Sequence, residues 1–139
     1  MKVALTLITG ILLSSWSYAQ EDCACCGSDY QDFNFWVGEW EVYDTAGNII
    51  GWNTIEYKQD SCVIRENWRS RISTGTSYSY YDRKTGKWNQ LWIDNSGGNL
   101  SLQGTAGAKS MSMYGQASDS SLHRIRWTAM DNGEVEQRW

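Results

Sequence analysis

The stretch GEWEVYDTAGN, residues 38–48, contains the pattern that recurs through most of the chain. Gly38, Trp40 and Val42 occupy alternate positions, and each is followed by a glutamate or a tyrosine. An alternation with a period of two predicts a half-buried β-strand, because successive side chains of a strand point to opposite faces. The Ala-Gly-Asn sequence at 46–48 then predicts a tight turn. A strand that ends in such a turn is the repeating unit of an antiparallel sheet.

Similar turn sequences, rich in Gly, Asn, Asp and Ser, recur about every 8 to 14 residues along the rest of the chain. Only a short helical turn is predicted, near residues 30–35. Nine tryptophans, eight tyrosines and no proline also favour strands. The sequence therefore predicts an all-β fold, a single antiparallel meander of about 8–10 strands closed into a barrel.

Within this pattern one glutamate falls among apolar residues. The inward face of the segment from residue 62 onward is predicted to hold Cys62, Ile64, Glu66, Trp68 and Ile72. A buried carboxylate without a partner is costly and has a raised pKa. Glu66 is therefore expected either to belong to a structural hydrogen-bond network or to contact a ligand.

The interior of a barrel of this size is either filled by side chains or holds one small ligand. We predict a small-molecule partner of apolar or aromatic character. The predicted ligand-binding residues are Glu66, Trp68, Tyr78, Tyr80, Gln90, Trp92, Trp127 and Gln137. In one alternative Glu66 is the acid or base of an isomerase or hydrolase. In another the barrel is filled and the protein is a structural or interaction module.

The N-terminal segment 1–19 has the features of a secretory signal peptide: Lys2, an apolar run and small residues before a cleavage site after Ala19. We therefore expect an exported protein, periplasmic or secreted. Residues 20–32 form a cysteine-containing arm, and residues 33–139 form the barrel domain. The chain stops within its last predicted strand. Either this strand is a sheet edge or the domain is truncated at the C-terminus, and we expect the truncation.

Four cysteines are present, three of them in the arm. Export permits a disulfide, and a bridge from Cys23, Cys25 or Cys26 to Cys62 would tie the arm to the barrel. The alternatives are a Cys62 that is buried as a small apolar residue, or a soft-metal site. The close spacing of the arm cysteines is not typical of zinc ligands, and we predict no metal.

The net charge of −4 becomes −5 when Lys2 is removed with the signal segment. No basic run is present, which argues against a nucleic-acid partner. No second long apolar stretch follows the signal segment, so we predict no membrane span in the mature protein.

Several motifs resemble those of a family of secreted bacterial proteins, the domain of unknown function 1579. They are the opening FWVGEWEVYD, the C-x-I-x-E-x-W segment at 62–68, YYDRKTGKW at 80–88 and WNQLWIDNSGG at 88–98. The chain departs from the family's pattern at Arg83, where a proline is usual, in its cysteine-rich arm and in lacking the family's closing strand.

This family is similar to lipocalin-type and nitrobindin-like barrels of the calycin group, and Gly38-Glu39-Trp40 is similar to the G-x-W signature of their first strand. The resemblance implies a calycin-like barrel with a small ligand inside. It also implies a possible haem ligand in His123, which alternation places inward near a strand end. A lone histidine is more often a packed or surface residue, so we expect no cofactor.

Overall fold

A computed structural model of the protein describes residues 23–117 and 119–139. The predicted signal segment and the first residues of the arm lie outside the described residues. In the described part, a short helix α1 (Ser28–Gln31) and a 3-10 turn (Asn34–Trp36) precede nine strands. The strands are β1 (Gly38–Tyr43), β2 (Ile49–Lys58), β3 (Val63–Arg69), β4 (Thr74–Asp82), β5 (Lys87–Asp94), β6 (Asn99–Gly107), β7 (Ser110–Ala117), β8 (Leu122–Ala129) and β9 (Val135–Arg138).

All nine strands belong to one sheet in which each strand pairs with its neighbours in sequence, always antiparallel. The predicted all-β antiparallel meander is confirmed, its strand number lies in the expected range, and the predicted helical turn is present. The strands curl into a half-barrel whose two edges, β1 and β9, are not paired with each other. Because directions alternate along the meander, β1 and β9 run the same way, so direct closure would require one parallel pair.

One end of the half-barrel is closed by the segment that precedes β1. Phe33 is fully buried there, with its ring stacked on Trp36 at 4.8 Å between centroids. Its edge-to-face neighbours are Trp88 and Trp127, at 5.7 and 5.2 Å. Such aromatic pairs add to the stability gained by burial of apolar area. Residues before the first strand therefore complete the core and plug this end, which we call the closed end.

The cysteines form two disulfides, Cys23–Cys26 and Cys25–Cys62. The second is the bridge between the arm and Cys62, one of the three alternatives that the sequence left open for these cysteines. Cys62 lies in the turn before β3, and Ile72 lies in the turn after it, 93% exposed. The prediction that Ile72 shares the inward face was wrong, because β3 ends at Arg69 and the alternation does not continue through the turn.

Candidate functional site

The opposite, open end of the half-barrel contains a cavity of about 320 Å³. Side chains of β1, β2, β3, β5, β6, β8 and β9 line it, together with Trp139. They are Val42, Tyr43, Ile50, Asn53, Glu66, Trp68, Gln90, Trp92, Leu100, Ile125, Trp127, Gln137 and Trp139. The lining is mainly apolar and aromatic with a few polar groups, which is the usual character of a small-molecule site.

Six of the eight predicted ligand-binding residues lie in this lining: Glu66, Trp68, Gln90, Trp92, Trp127 and Gln137. The predicted inward position of Tyr78 and Tyr80 was wrong. Both lie on the outer face of β4 and are 46% exposed, whereas the intervening Ser77 and Ser79 are fully buried. Two small hydroxyl side chains fit the crowded inner face beneath the tryptophans of neighbouring strands, and the alternation then places the tyrosines outside.

Glu66 is at the centre of a buried hydrogen-bond network. Its Oε1 accepts a bond from Nδ2 of Asn53 at 2.7 Å, and its Oε2 accepts one from Oγ of Ser77 at 2.7 Å. The side chain is only 8% exposed, and within the described residues no lysine or arginine forms an ion pair with it. Burial raises the pKa of Glu66, and the two hydrogen bonds only partly oppose that rise.

The strand pairing explains why these groups meet. Ser77 lies directly opposite Glu66 in the β3–β4 pair, and Ser79 lies opposite Gln90 in the β4–β5 pair. Gln90 donates a hydrogen bond from Nε2 to Oγ of Ser79 at 3.0 Å. The inner face of three adjacent strands therefore presents a continuous polar band beside the aromatic wall of the cavity.

Asn53 lines the cavity and was not among the predicted ligand-binding residues. It is 6% exposed, and its Nδ2 is used by Glu66, but its Oδ1 is buried and receives no hydrogen bond from any described residue. A buried acceptor without a donor costs free energy. The amide of Asn53 is therefore a polar group in the cavity that keeps one acceptor without a donor.

The aromatic wall depends on two inward glycines. A Cβ atom on Gly51 would lie 2.4 Å from the indole of Trp68, and one on Gly75 would lie 2.2 Å from the indole of Trp92. Both distances are shorter than the contacts that a Cβ atom makes with other heavy atoms in proteins. Each indole therefore lies flat against the backbone of an adjacent strand, and the missing side chain leaves the room that the ring occupies.

His123 faces inward near the open end, as predicted, but it does not line the cavity. Its Nε2 is hydrogen bonded to Oγ of Ser121 at 2.7 Å, and its ring packs edge-to-face on Trp139. This arrangement does not present His123 to a haem bound in the cavity. No three of the described His, Cys, Asp and Glu residues are close enough to hold a metal ion together.

Among known proteins, no family model matches the chain and no curated protein sequence is significantly similar to it. None of the helices in the described part is long and apolar enough to cross a membrane.

Proposed function

We propose that the protein binds a small apolar or aromatic molecule that carries a hydrogen-bond donor, in the cavity at the open end of the half-barrel. The observation that carries the proposal is the unpaired Oδ1 of Asn53 in a mainly apolar and aromatic lining. The cavity volume of about 320 Å³ lies at the lower end of the range usual for ligand sites. The aromatic wall would contact the flat face of the ligand, and Asn53 would accept its N–H or O–H group.

In this proposal Glu66 is a positioning residue. It fixes the Asn53 amide by accepting from Nδ2, which leaves Oδ1 as the side of the amide available to the ligand. Ser77 holds the other carboxylate oxygen and so fixes the carboxyl group. The preference for a ligand with a hydrogen-bond donor therefore depends on the carboxyl group of Glu66, although the ligand does not need to contact that group.

The enzyme alternative, with Glu66 as acid or base, has less support. Both carboxylate oxygens are already engaged by Asn53 and Ser77, and Tyr43 is the one other ionisable group among the cavity-lining residues. General acid–base catalysis requires a group placed to exchange a proton with the substrate. A filled interaction module is also less well supported, since it offers no reason for the cavity or for the unpaired acceptor.

We further propose that the protein is exported and related to the domain-of-unknown-function 1579 proteins. The two disulfides support export, because such bonds persist in oxidising compartments. The half-barrel meander agrees with the calycin-like barrel that the resemblance implies.

Binding of 2-naphthol, compared with 2-methoxynaphthalene, tests the proposed function. Both compounds are flat and aromatic, but only the naphthol has a donor for Asn53. We expect saturable binding of 2-naphthol at pH 7 by isothermal titration calorimetry, about 3- to 10-fold tighter than binding of the ether, as one net hydrogen bond allows. The inward change Trp92→Leu is expected to weaken binding, and the outward change Tyr78→Leu on the neighbouring strand is the matched control. Equal effects of the two changes, or no preference for the naphthol, would contradict the proposal.

The Glu66→Gln variant is expected to lose or reverse this preference. When the new amide directs Nε2 at Asn53, the Asn53 amide turns over and accepts that bond with Oδ1, which then presents Nδ2 to the cavity. Ser77 continues to donate to the remaining oxygen. Titration with both compounds measures the change. A variant that keeps the full preference for 2-naphthol would show that the preference does not require the carboxyl group of Glu66.

The same variant should also change how stability depends on pH. The pKa of Glu66 is raised in the folded state by burial, so the folded protein keeps the proton at pH values where the unfolded chain has lost it. The free energy of unfolding of the wild type should therefore fall relative to that of Glu66→Gln as pH rises above about 4.3, the ordinary glutamate value. Urea unfolding of both proteins between pH 4 and pH 8 measures the difference. A parallel pH dependence would contradict the assigned pKa direction.

A further inference from the structure

We propose that the outer face of the sheet binds an acidic polysaccharide, a chain of uronic acid units, across strands β4–β8. The site is a row of side chains in which each residue is paired with the next one on the neighbouring strand. The row, which we call the outer row, consists of Tyr80, Asn89, Gln103, Tyr114 and Arg124. None of these residues lines the cavity at the open end, so this inference goes beyond the proposed function.

Two exposed tyrosines provide flat surfaces for sugar rings. Tyr80 is 46% exposed and Tyr114 is 53% exposed, although both belong to strands. Because neighbouring strands are about 4.8 Å apart, the backbones at these two positions are separated by about 14 Å. One strand spacing is close to the length of one pyranose unit in an extended chain. A tyrosine ring has apolar faces and a polar hydroxyl, so it can pack on the C–H face of a sugar and also bond to a sugar hydroxyl.

Two amide side chains lie between the tyrosines and face the same way. Gln103 donates a hydrogen bond from Nε2 to Oδ1 of Asn89 at 3.0 Å, and Asn89 donates from Nδ2 to the backbone oxygen of Lys87 at 3.3 Å. Lys87 in turn donates from Nζ to Oε1 of Gln103 at 3.3 Å. An amide nitrogen carries two hydrogens, so each amide is held in place by one and keeps the other for a sugar oxygen.

The charge of this face favours an acidic ligand. The whole chain has a net charge of −4, but the outward residues of β5–β8 include no aspartate or glutamate. They include three cations, Lys87, Arg124 and Arg126, and no described carboxylate forms an ion pair with any of them. A cationic face on an acidic protein attracts anions to that face.

Arg124 is placed to bind a carboxylate at one end of the outer row. Its guanidinium lies over the ring of Tyr114, 5.4 Å from the centroid, and this cation–π contact holds it beside the surface on which a sugar would pack. A guanidinium binds a carboxylate through two parallel hydrogen bonds. A sugar unit on Tyr114 that carries a carboxyl group would therefore meet both of its partners at once.

The composition of the face argues against the other classes of polymer. Three cations on an acidic chain are few for a nucleic acid, whose binding depends on the neutralisation of many phosphates. The centre of a protein–protein interface is usually apolar, whereas the centre of the outer row consists of two amides. Sugar rings with hydroxyl and carboxyl groups match the alternation of rings, amides and a guanidinium.

Labelled hexagalacturonate added to the full chain tests this proposal by fluorescence anisotropy. We expect saturable 1:1 binding at low ionic strength, and binding of labelled maltohexaose and of labelled hexaglutamate that is weaker by about tenfold, since each lacks one of the two kinds of contact. Maltohexaose has the sugar rings without the carboxylates, and hexaglutamate has the carboxylates without the rings. The comparison therefore separates ring packing from simple charge attraction.

A pair of tyrosine variants identifies the surface. Tyr80→Ala with Tyr114→Ala is expected to weaken hexagalacturonate binding by about tenfold, because exposed tyrosines that pack on a ligand contribute much of the binding energy. Tyr43→Ala with Tyr57→Ala is the matched control. It also removes two exposed tyrosines, but from β1 and β2, and should leave binding unchanged.

A pair of arginine variants tests the charge. Arg124→Gln is expected to weaken hexagalacturonate binding by about threefold, as the loss of one exposed ion pair allows, and to leave the weak binding of maltohexaose unchanged. Arg71→Gln removes the same charge from an exposed position in the turn after β3 and should have no effect.

Four results would overturn the proposal: absence of saturable hexagalacturonate binding, equal binding of hexaglutamate, equal binding of maltohexaose, or equal effects of the two tyrosine double variants. The naphthol titration probes the inner side of the sheet and is independent of these results. Either binding activity can therefore fail without the other.

Discussion

Replacement of Phe33 by alanine is expected to lower the free energy of unfolding by about 3–5 kcal/mol. Phe33 is fully buried and its ring contacts those of Phe35, Trp36, Trp88 and Trp127. Removing the ring loses its burial and leaves a hole among large, rigid rings that cannot collapse into it. For a domain whose total stability is on the order of 5–15 kcal/mol, this is a major loss.

Urea unfolding followed by tryptophan fluorescence measures this effect. Phe33→Leu is the matched control, since it keeps most of the apolar volume and should cost clearly less. Phe35→Ala is the second control, because that side chain is only partly buried against the same cluster. If Phe33→Ala cost no more than Phe35→Ala, the segment before β1 would not be part of the core.

The second large effect is expected from removal of the bridge between the arm and the barrel. Cys25→Ala with Cys62→Ala opens a link between residues 37 positions apart. The chain-entropy relation for a loop of this length gives a loss of about 4 kcal/mol in the free energy of unfolding. Without the bridge the unfolded chain has a higher conformational entropy, while the native contacts of the closed end remain.

The matched control is Cys23→Ala with Cys26→Ala, which removes a bridge between residues three positions apart. The same relation gives a loss of about 2 kcal/mol for such a short loop. Thermal and urea unfolding of both double variants under non-reducing conditions provide the comparison. Equal losses from the two pairs would indicate that the long bridge does not constrain the unfolded chain.

Alternation was a reliable guide wherever a strand has one clearly apolar face. In β1 and β8 the inward residues, among them Trp40 and Trp127, follow from the sequence pattern, and the structure confirms them. The inward position of Glu66 was predicted in the same way, from the isoleucine and tryptophan on either side of it. These strands are amphipathic, so the register that buries their apolar side chains is unambiguous.

Alternation was a poor guide where the two faces carry competing signals. In β4 hydrophobicity does not show whether the tyrosines or the serines face the interior. The serines do, because Glu66 and Gln90 on the neighbouring strands need small hydroxyl partners. In β2 the outward Trp52 is more apolar than the inward Asn53, so the residue that carries the proposed function was missed. Both errors come from polar groups whose partners lie on other strands, and such partnerships are set by tertiary pairing.

The two contacts between an indole and a glycine have a consequence for how this sequence can change over evolution. Positions 51 and 68 share one volume, and positions 75 and 92 share another, because a side chain at either glycine would occupy the space of the ring. The members of each pair are therefore coupled: a larger residue at 75 becomes acceptable only when the residue at 92 becomes smaller. A larger residue at the glycine position, together with a smaller one at the tryptophan position, would move side-chain volume from one strand to its neighbour. The shape of the cavity would change, while its total volume stayed nearly constant. Homologous chains with different ligands should therefore vary at both members of a pair together.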